Sequence, residues 1–343
     1  MFQKILVPLD GSARAEQAIP VAARIARGVG GSLVLLRVIP RISDYAWRSL
    51  DPPVVLPDVL AKERAEAAVY LQRLLSSQDL DGVGIQTEVR DGDPAYTILT
   101  VAHELQATMM VMCSHGERGI KRWMMGSVSL KVARHSAIPV FVLRPNEQGI
   151  SAPFTSKGSQ VRILVPLDGS KSAEEALEPA MLLAHSLTAP VNAALHLACV
   201  LLADDEERER AIQAAQEYLA EVEKKLLQSE AGRSITITSS ISLHVDAAQA
   251  LIRLAEHGEG MREIAGFTGC DIIAIATHGR SGVPRWVMGS VTERILDSTT
   301  LPLLIVRPQK VHAKPTEEHH DGGSSEQRAK DDTVEEPSWA GLF

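Results

Sequence analysis

The sequence predicts an α/β protein built twice, each copy a parallel sheet wrapped by helices, and three observations carry that reading. Short apolar runs alternate with stretches of helical periodicity, as in strands joined by crossover helices. The opening run KILVPLDGS returns as VRILVPLDGS at an offset of 158, so the chain is a tandem duplication rather than a short solenoid. Ser114-His115-Gly116 is followed by nine residues and Gly126-Ser127, and Thr277-His278-Gly279 by nine residues and Gly289-Ser290. Each of these stretches opens after an apolar run and closes where a helical pattern begins. That places both at the carboxyl edge of a parallel sheet, where such folds bind ligands.

The elements follow in order. KILVPLDGS is a buried strand ended by Pro8 and an Asp10-Gly11 turn. Ala15, Ala18, Ile19, Ala22, Ile25 and Ala26 recur at three- and four-residue spacing and predict one helix, stopped by Gly28, Gly30 and Gly31. SLVLLRVIP is a second strand, and the four prolines from Pro40 to Pro57 mark an irregular excursion. DVLAKERAEAAVYLQRLLSS is a long amphipathic helix, IQTEVRDGDP a half-exposed strand, AYTILTVAHELQ a helix and TMMVMCSHG the strand feeding the first cradle. The helix SVSLKVARHS and the strand IPVFVLRP complete the unit.

A polar segment rich in Gly, Ser and Pro then reads as a linker, after which the pattern restarts with the apolar face Ala173, Ala176, Leu177, Ala180, Leu183 and Ala184. From His115 to His278 the offset is 163, so length changes lie between these anchors, including an expanded segment near HGEGMREIAGF. The stretch from Asp204 to Glu230 is a helix with a solvated, charge-paired face. The expected units are residues 1–145 and 161–308, with a linker at 146–160 and a disordered acidic tail at 309–343.

At 343 residues each unit is long enough to bury its own core. The net charge of −8 gives no global attraction to nucleic acid or to an anionic bilayer, and half of it comes from the tail, where eight acidic residues face four basic ones. Cys113, Cys199 and Cys270 are odd in number and widely spaced, which fits a reducing compartment. The N-terminus does not read as a secretion signal, and no apolar run is long enough to span a membrane. The expected location is cytoplasmic.

The Gly-Ser pairs at the helix starts expose backbone N–H groups and the positive end of the helix dipole, which suits a phosphate. Gly116 and Gly279 let a ligand approach the main chain. Asp10 and Asp168 read as ligand acceptors or as turn residues. Ser127 and Ser290 read as phosphate donors or as helix caps, Ser290-Val-Thr-Glu293 having the form of a capping box. His115 and His278 have no recurring acid or nucleophile beside them, so a loop-ordering hydrogen bond is expected in place of acid–base work. Trp123 and Trp286 are read as packing residues, Cys113 as a small buried residue, and the Met pairs at 109–110 and 124–125 as core filling.

With both repeats written out, the chain resembles the universal stress protein family in its tandem form. The residues that carry the resemblance are ILVPLDGS at the start of each copy and, at the ends, SHGERGIKRWMMGSVSLKVARHSAIPVFVLRP and THGRSGVPRWVMGSVTERILDSTTLPLLIVRP. The resemblance implies a five-stranded parallel sheet with helices on both faces, Rossmann-like and of the adenine nucleotide alpha hydrolase type, with dimer-like association through the last strand. FVLRP and LLIVRP are the candidate seam between the copies, and a further homodimer stays open. The resemblance also implies ATP, with or without Mg²⁺, held by the glycine motif, with an aspartate at the ribose and main chain of the second strand at the adenine. Carried over, the first site is Pro8, Asp10, Val38, Cys113, His115, Gly116, Gly126, Ser127 and Val128. The second is Pro166, Asp168, Leu197, Ala276, His278, Gly279, Gly289, Ser290 and Val291.

Both copies depart from the motif at its first glycine, which is Cys113 in one and Ala276 in the other. A Cβ there is expected to push the phosphates outward and to remove a charge-assisted hydrogen bond, about 1.5–3 kcal/mol. Three functions follow. One is an ATP-binding stress regulator or sensor acting through an unknown protein partner. The others are a slow ATPase and a nucleotide-free interaction scaffold. Against the ATPase, the chain has no G-x-x-x-x-G-K-S/T loop.

Overall fold

The computed structural model describes residues 1–40, 57–114, 125–145, 149–150, 154, 160–188, 193–202, 208–229, 231–260, 267–278 and 288–308. The first half contributes β1 (Lys4–Leu9), β2 (Ser32–Ile39), β3 (Gly84–Asp91), β4 (Met109–Cys113) and β5 (Val140–Leu143). The second contributes β6 (Arg162–Pro166), β7 (Ala193–Leu201), β8 (Ile235–Leu243), β9 (Ile272–Ala276) and β10 (Leu303–Val306). All ten form one sheet in the order β3-β2-β1-β4-β5-β10-β9-β6-β7-β8. Pairing is parallel within each half. Only β5 and β10 run antiparallel, with Phe141 opposite Leu304. The expected seam between the copies is therefore present inside one chain.

Helices cover both faces, which is why the central strands read as unbroken apolar runs. One layer holds α1 (Ala13–Glu16), α2 (Ala18–Val29) and α3 (Pro57–Leu74) with their counterparts α6 (Lys171–Glu174), α7 (Leu177–Thr188) and α8 (Arg208–Gln228). The other holds α4 (Pro94–Glu104), α5 (Ser127–His135), α9 (Ala247–His257) and α10 (Ser290–Ser298). Strand alternation sends Ile5, Leu35 and Val111 to the first layer and Leu6, Val34 and Met110 to the second. The edge strands β3 and β8 are half-buried along most of their length. In α8 the buried stripe is Ala211, Ala215, Leu219, Val222 and Leu226, with the charged face outside, as the periodicity predicts. Met109, Met110 and Met125 are buried in the core.

Three expectations need correction. The helix after β1 is two helices, α1 and α2, broken at Gln17. Pro20 has no N–H for the Glu16 carbonyl and its ring crowds that group, so a continuous helix is excluded there. Pro179 accompanies the same break between α6 and α7. Gly28 does not stop α2, which runs on to Val29 and is closed by Gly30 in the left-handed conformation (φ 64°). Gly28 is instead a contact point: a Cβ there would lie 2.6 Å from the Ser186 carbonyl oxygen of α7. Ser186 stands at the same offset of 158, so equivalent positions of the two copies meet, and position 28 has to be glycine because the main chain of Ser186 faces it. Finally, the segment read as a polar linker carries Phe154, which is 2% exposed and packs edge-on to Phe141 with centroids 6.2 Å apart. Residues 41–56 and the tail from 309 lie outside the described residues.

Side chains reinforce the seam reciprocally. Arg144, after β5, donates to the Leu296 carbonyl near the end of α10, and Arg307, after β10, donates to the His135 carbonyl at the end of α5, at 3.4 Å. Each cation thus meets the negative end of the other half's last helix. Burial lowers the Arg144 pKa to about 10, against the raising effect of Asp297 and Glu256. Arg134 and Glu293 form an ion pair across the same seam.

Candidate functional site

In each half the turn after the first strand is built from three residues, Asp-Gly-Ser. Asp10 Oδ1 accepts from the Ser12 amide at 3.0 Å and from its hydroxyl at 2.6 Å. The same hydroxyl accepts from the Ala15 amide at 3.1 Å and so caps α1. Asp168, Ser170 and Ala173 repeat the three bonds at 3.0, 2.6 and 3.1 Å. Gly11 and Gly169 stand at φ 89° and 85°, where a side chain is disfavoured. The aspartates are therefore turn residues through Oδ1 while their carboxylates stand at the carboxyl end of the first strand.

The second strand-to-helix junction is equally matched. Ser114 and Gly126 close the intervening segment by a Gly126 amide to Ser114 carbonyl bond of 2.7 Å, and Gly289 and Thr277 do so at 2.8 Å. Ser129 and Thr292 brace the junction, their hydroxyls donating to the Ser114 carbonyl at 2.6 Å and the Ala276 carbonyl at 2.9 Å. The N-caps of α5 and α10 are Gly126 and Gly289, which have no side-chain cap. The capping-box reading of Ser290 is thus corrected: Ser127 and Ser290 are the first helical residues, and both are exposed. The first-turn amides of two nine-residue helices face outward without a side chain over them, the arrangement an anion fits.

A cleft of about 1010 Å³ lies at the carboxyl edge of the first half. It brings together Pro8, Asp10, Val38, Cys113, Gly126, Ser127 and Val128 of the expected site. His115 and Gly116 lie outside the described residues, as do Gly279, Trp123, Met124 and Trp286. In the second half Pro166, Asp168, Ala276, His278, Gly289, Ser290 and Val291 occupy corresponding strand ends and helix starts. His278 Nδ1 shares a 2.9 Å hydrogen bond with Thr277 Oγ1, a local ordering contact of the kind expected. Its Nε2 is buried and has no hydrogen-bond partner among the described residues.

Leu197 does not belong to this set. The register pairs Pro8 with Leu36 and Pro166 with Ala198, so Val38 corresponds to Val200 and Leu197 to Leu35. Leu197 is fully buried in the opposite layer, whereas Val38 and Val200 share the layer of α4 and α9. A length change before β7 hides this from a constant-offset reading.

The expectation about Cys113 is also revised. Its thiol points into the layer of α1, donating to the Arg14 carbonyl at 3.0 Å, and not toward the start of α5. Burial, reinforced by the nearby Asp10 charge, pushes its pKa up to about 12, which keeps it protonated and unreactive. Alternation places Ala276 on the side of Ile272 and Ala274, again away from α10. The Cβ at the first motif position therefore does not fill the space above the helix start.

Sequence reasoning missed three groups. Tyr70 of α3 lines the first cleft with its hydroxyl buried near the Glu16 carboxylate. Tyr218 of α8 stands near Glu174 in the second half, and burial, followed by the glutamate charge, raises both phenol pKa values. The third is Arg37, half-buried in the cleft wall, with Nη1 donating to the Leu9 carbonyl at 3.3 Å. Its signal was present, a lone cation inside the apolar run SLVLLRVIP. The same register position in the second half is Cys199, which is 1% exposed. No helix among the described residues is long and apolar enough to cross a membrane, and no cluster of three or more metal-ligating side chains occurs among them.

Comparison with known proteins gives a consistent set of relatives. The model of the family described as universal stress protein family matches residues 1–144 and 161–307. A universal stress protein of Mycolicibacterium smegmatis is 23% identical over 309 residues, 89% of this chain and 97% of that protein. Universal stress protein YxiE of Bacillus subtilis is 32% identical over 149 residues, 42% of this chain and the whole of its own length. A solved universal stress protein from Archaeoglobus fulgidus has a TM-score of 0.57 at 19% identity, covering 89% of this chain and 96% of that one, a likeness of fold.

Proposed function

Because this chain belongs to the universal stress protein family, with the family model matching each half once, we propose that it is an adenine-nucleotide-binding stress-response regulator. In this reading ATP occupies the cradles and its occupancy alters contacts with another protein in the cytoplasm. The units are residues 1–145 and 161–308, each offering one site.

The observation that carries the proposal is the first cleft, where Asp10, Val38, Gly126 and Ser127 converge on one space at the carboxyl edge of the sheet. The uncapped start of α5 suits phosphate groups, Asp10 suits ribose hydroxyls, and the carboxyl end of β2 suits the adenine. When bound, the nucleotide supplies the anion that the helix start lacks. The chain's own residues bind and orient it: the first turn of α5, beginning at Ser127, presents main-chain amides, Ser127 adds its hydroxyl, and the Asp10-Ser12 bond holds the carboxylate in place.

The test is to denature the purified protein, identify any released nucleotide by mass, and titrate the nucleotide-free chain with ATP. Wild type is compared with Gly126→Val and Gly289→Val. A Cβ at Gly289 meets its nearest neighbour, the Thr277 carbonyl oxygen, at 3.5 Å, an ordinary contact, so the main chain there admits a side chain. Adenine nucleotide lost in step with each substitution supports the reading. Absence of binding at millimolar ATP overturns it and leaves the duplicated fold as an interaction scaffold.

A further inference from the structure

We infer that the first cleft selects an adenine nucleotide carrying an additional phosphate on its ribose, and that Arg37 is the residue that selects it. This rests on the adenine-nucleotide reading above and deepens it. Leu9 and Arg37 are register partners on adjacent strands, so the arginine emerges beside the turn that holds Asp10. Its Nη2 lies 3.6 Å, and its central carbon 3.7 Å, from where a Cβ on Gly11 would stand. The guanidinium is thus held over the residue next to the carboxylate expected at the ribose.

Arg37 makes no ion pair among the described residues, and its one hydrogen bond there goes to a main-chain carbonyl. A half-buried guanidinium in a cleft is costly to leave without an anion, and its planar fork matches phosphate oxygens. Of the acids around it, Asp10 turns Oδ1 into its own turn, Glu66 pairs with Lys62 at 3.8 Å, and Glu16 pairs with Arg73 at 3.5 Å. Glu63 also lines the cleft, from α3, and opposes an incoming anion. In parallel α/β folds an acidic residue at the end of a strand takes free ribose hydroxyls, whereas an arginine beside it accommodates a ribose phosphate. This cleft carries both. The second half, with buried Cys199 in place of the arginine, has no such preference.

The probes are adenosine 5′-monophosphate, adenosine 2′,5′-bisphosphate and adenosine 3′,5′-bisphosphate, titrated calorimetrically into the full chain as wild type, Arg37→Gln and Arg37→Lys. One bisphosphate is expected to bind about tenfold or more tightly than the monophosphate at one site per chain, the ratio a charge-assisted phosphate contact confers. Which isomer gains tells whether the 2′ or the 3′ oxygen carries the phosphate. Arg37→Gln should bring the ratio close to one, and Arg37→Lys should keep part of it. Equal wild-type affinities, or a preference that survives Arg37→Gln, overturn the inference. If Arg37→Gln does not fold, the wild-type ratio still decides. ATP binding without a bisphosphate preference refutes this inference alone, whereas no binding of any adenine nucleotide refutes the proposed function with it.

Discussion

Beside the Asp10 turn of the first half stands Arg37, and beside the Asp168 turn of the second stands Cys199. The turns themselves agree bond for bond, at 3.0, 2.6 and 3.1 Å in both copies. At the junctions with α5 and α10 the closing amide bonds agree, at 2.7 and 2.8 Å, while the bracing hydroxyls differ by one residue, Ser129 reaching the Ser114 carbonyl and Thr292 the Ala276 carbonyl. What differs is the strand next door and the helix that follows it. Asp93 caps α4, whereas Asp246 both caps α9 and pairs with Arg294 of α10. Val34 of the first half becomes His196 in the second, where Thr238 and Ser240 hydrogen-bond its two ring nitrogens at 2.8 Å each. Duplication has kept the parts that shape the main chain, and the side chains facing the cleft or a neighbouring strand have diverged.

The largest expected effect tests which residues correspond. Leu35 and Leu197 occupy the same register position and are both fully buried in the same layer. Leu35→Ala and Leu197→Ala should each cost about 2–5 kcal/mol in chemical denaturation, with similar values, since each opens a cavity in a continuous core. If Leu197→Ala proved mild and abolished nucleotide binding, the correspondence of Val38 with Val200 would be wrong.

Next in size is the contact that forbids identity. Gly28→Ser makes the two copies the same at the point where they meet, and the new Cβ falls 2.6 Å from the Ser186 carbonyl oxygen. A loss of about 1–3 kcal/mol is expected from overpacking. Adding Ser186→Gly should not recover it, because the obstruction is main chain. Thermal melts of the single and double variants decide this, and full recovery in the double variant would place the clash at the side chain.

Smaller again is a pH dependence confined to the second half. Burial, aided by the Arg162 charge, lowers the His196 pKa to about 4. The unfolded histidine, with an ordinary pKa near 6.5, takes up a proton over a range in which the folded one does not, so stability falls as pH drops from about 6.5 toward about 4. The contribution between pH 7 and pH 5 is on the order of 1–2 kcal/mol. His196→Asn should flatten that part of the stability profile, whereas Val34→Ala, at the matching position, should shift the whole profile without changing its slope.

These contrasts also mark how far the sequence could be read. The strands, the crossover helices, the Asp-Gly-Ser turns and the Gly-Ser helix starts were legible because each rests on a local rule: apolar runs, turn chemistry, or glycine at a helix boundary. The placement of the candidate residues that follow a fixed offset from those anchors, at strand ends and helix starts, was legible too. Val200 was not, because a length change shifts β7 and strand parity then reverses the face. Tyr70 and Tyr218 stand near Glu16 and Glu174 of another helix, a relation that no periodicity within one helix records. Phe154 was hidden by its polar neighbours, although it fills space against Phe141. Arg37 stood in plain view, but a cation in a strand acquires meaning only when the register shows that it ends beside Asp10.

The smallest effect is the one on which the two halves should agree. Ser12 caps α1 and Ser170 caps α6, each accepting an amide at 3.1 Å and donating to its aspartate at 2.6 Å. Ser12→Ala and Ser170→Ala should each cost about 1 kcal/mol, the usual loss of a helix cap. Because the hydroxyl also steadies the carboxylate, each change should in addition weaken nucleotide binding at its own cradle and leave the other unaltered. Calorimetric titration of both variants with ATP separates the two roles. Equal stability losses with an affinity loss only in Ser12→Ala would mean that the turn is a shared structural part, while the first cleft alone puts its aspartate to use.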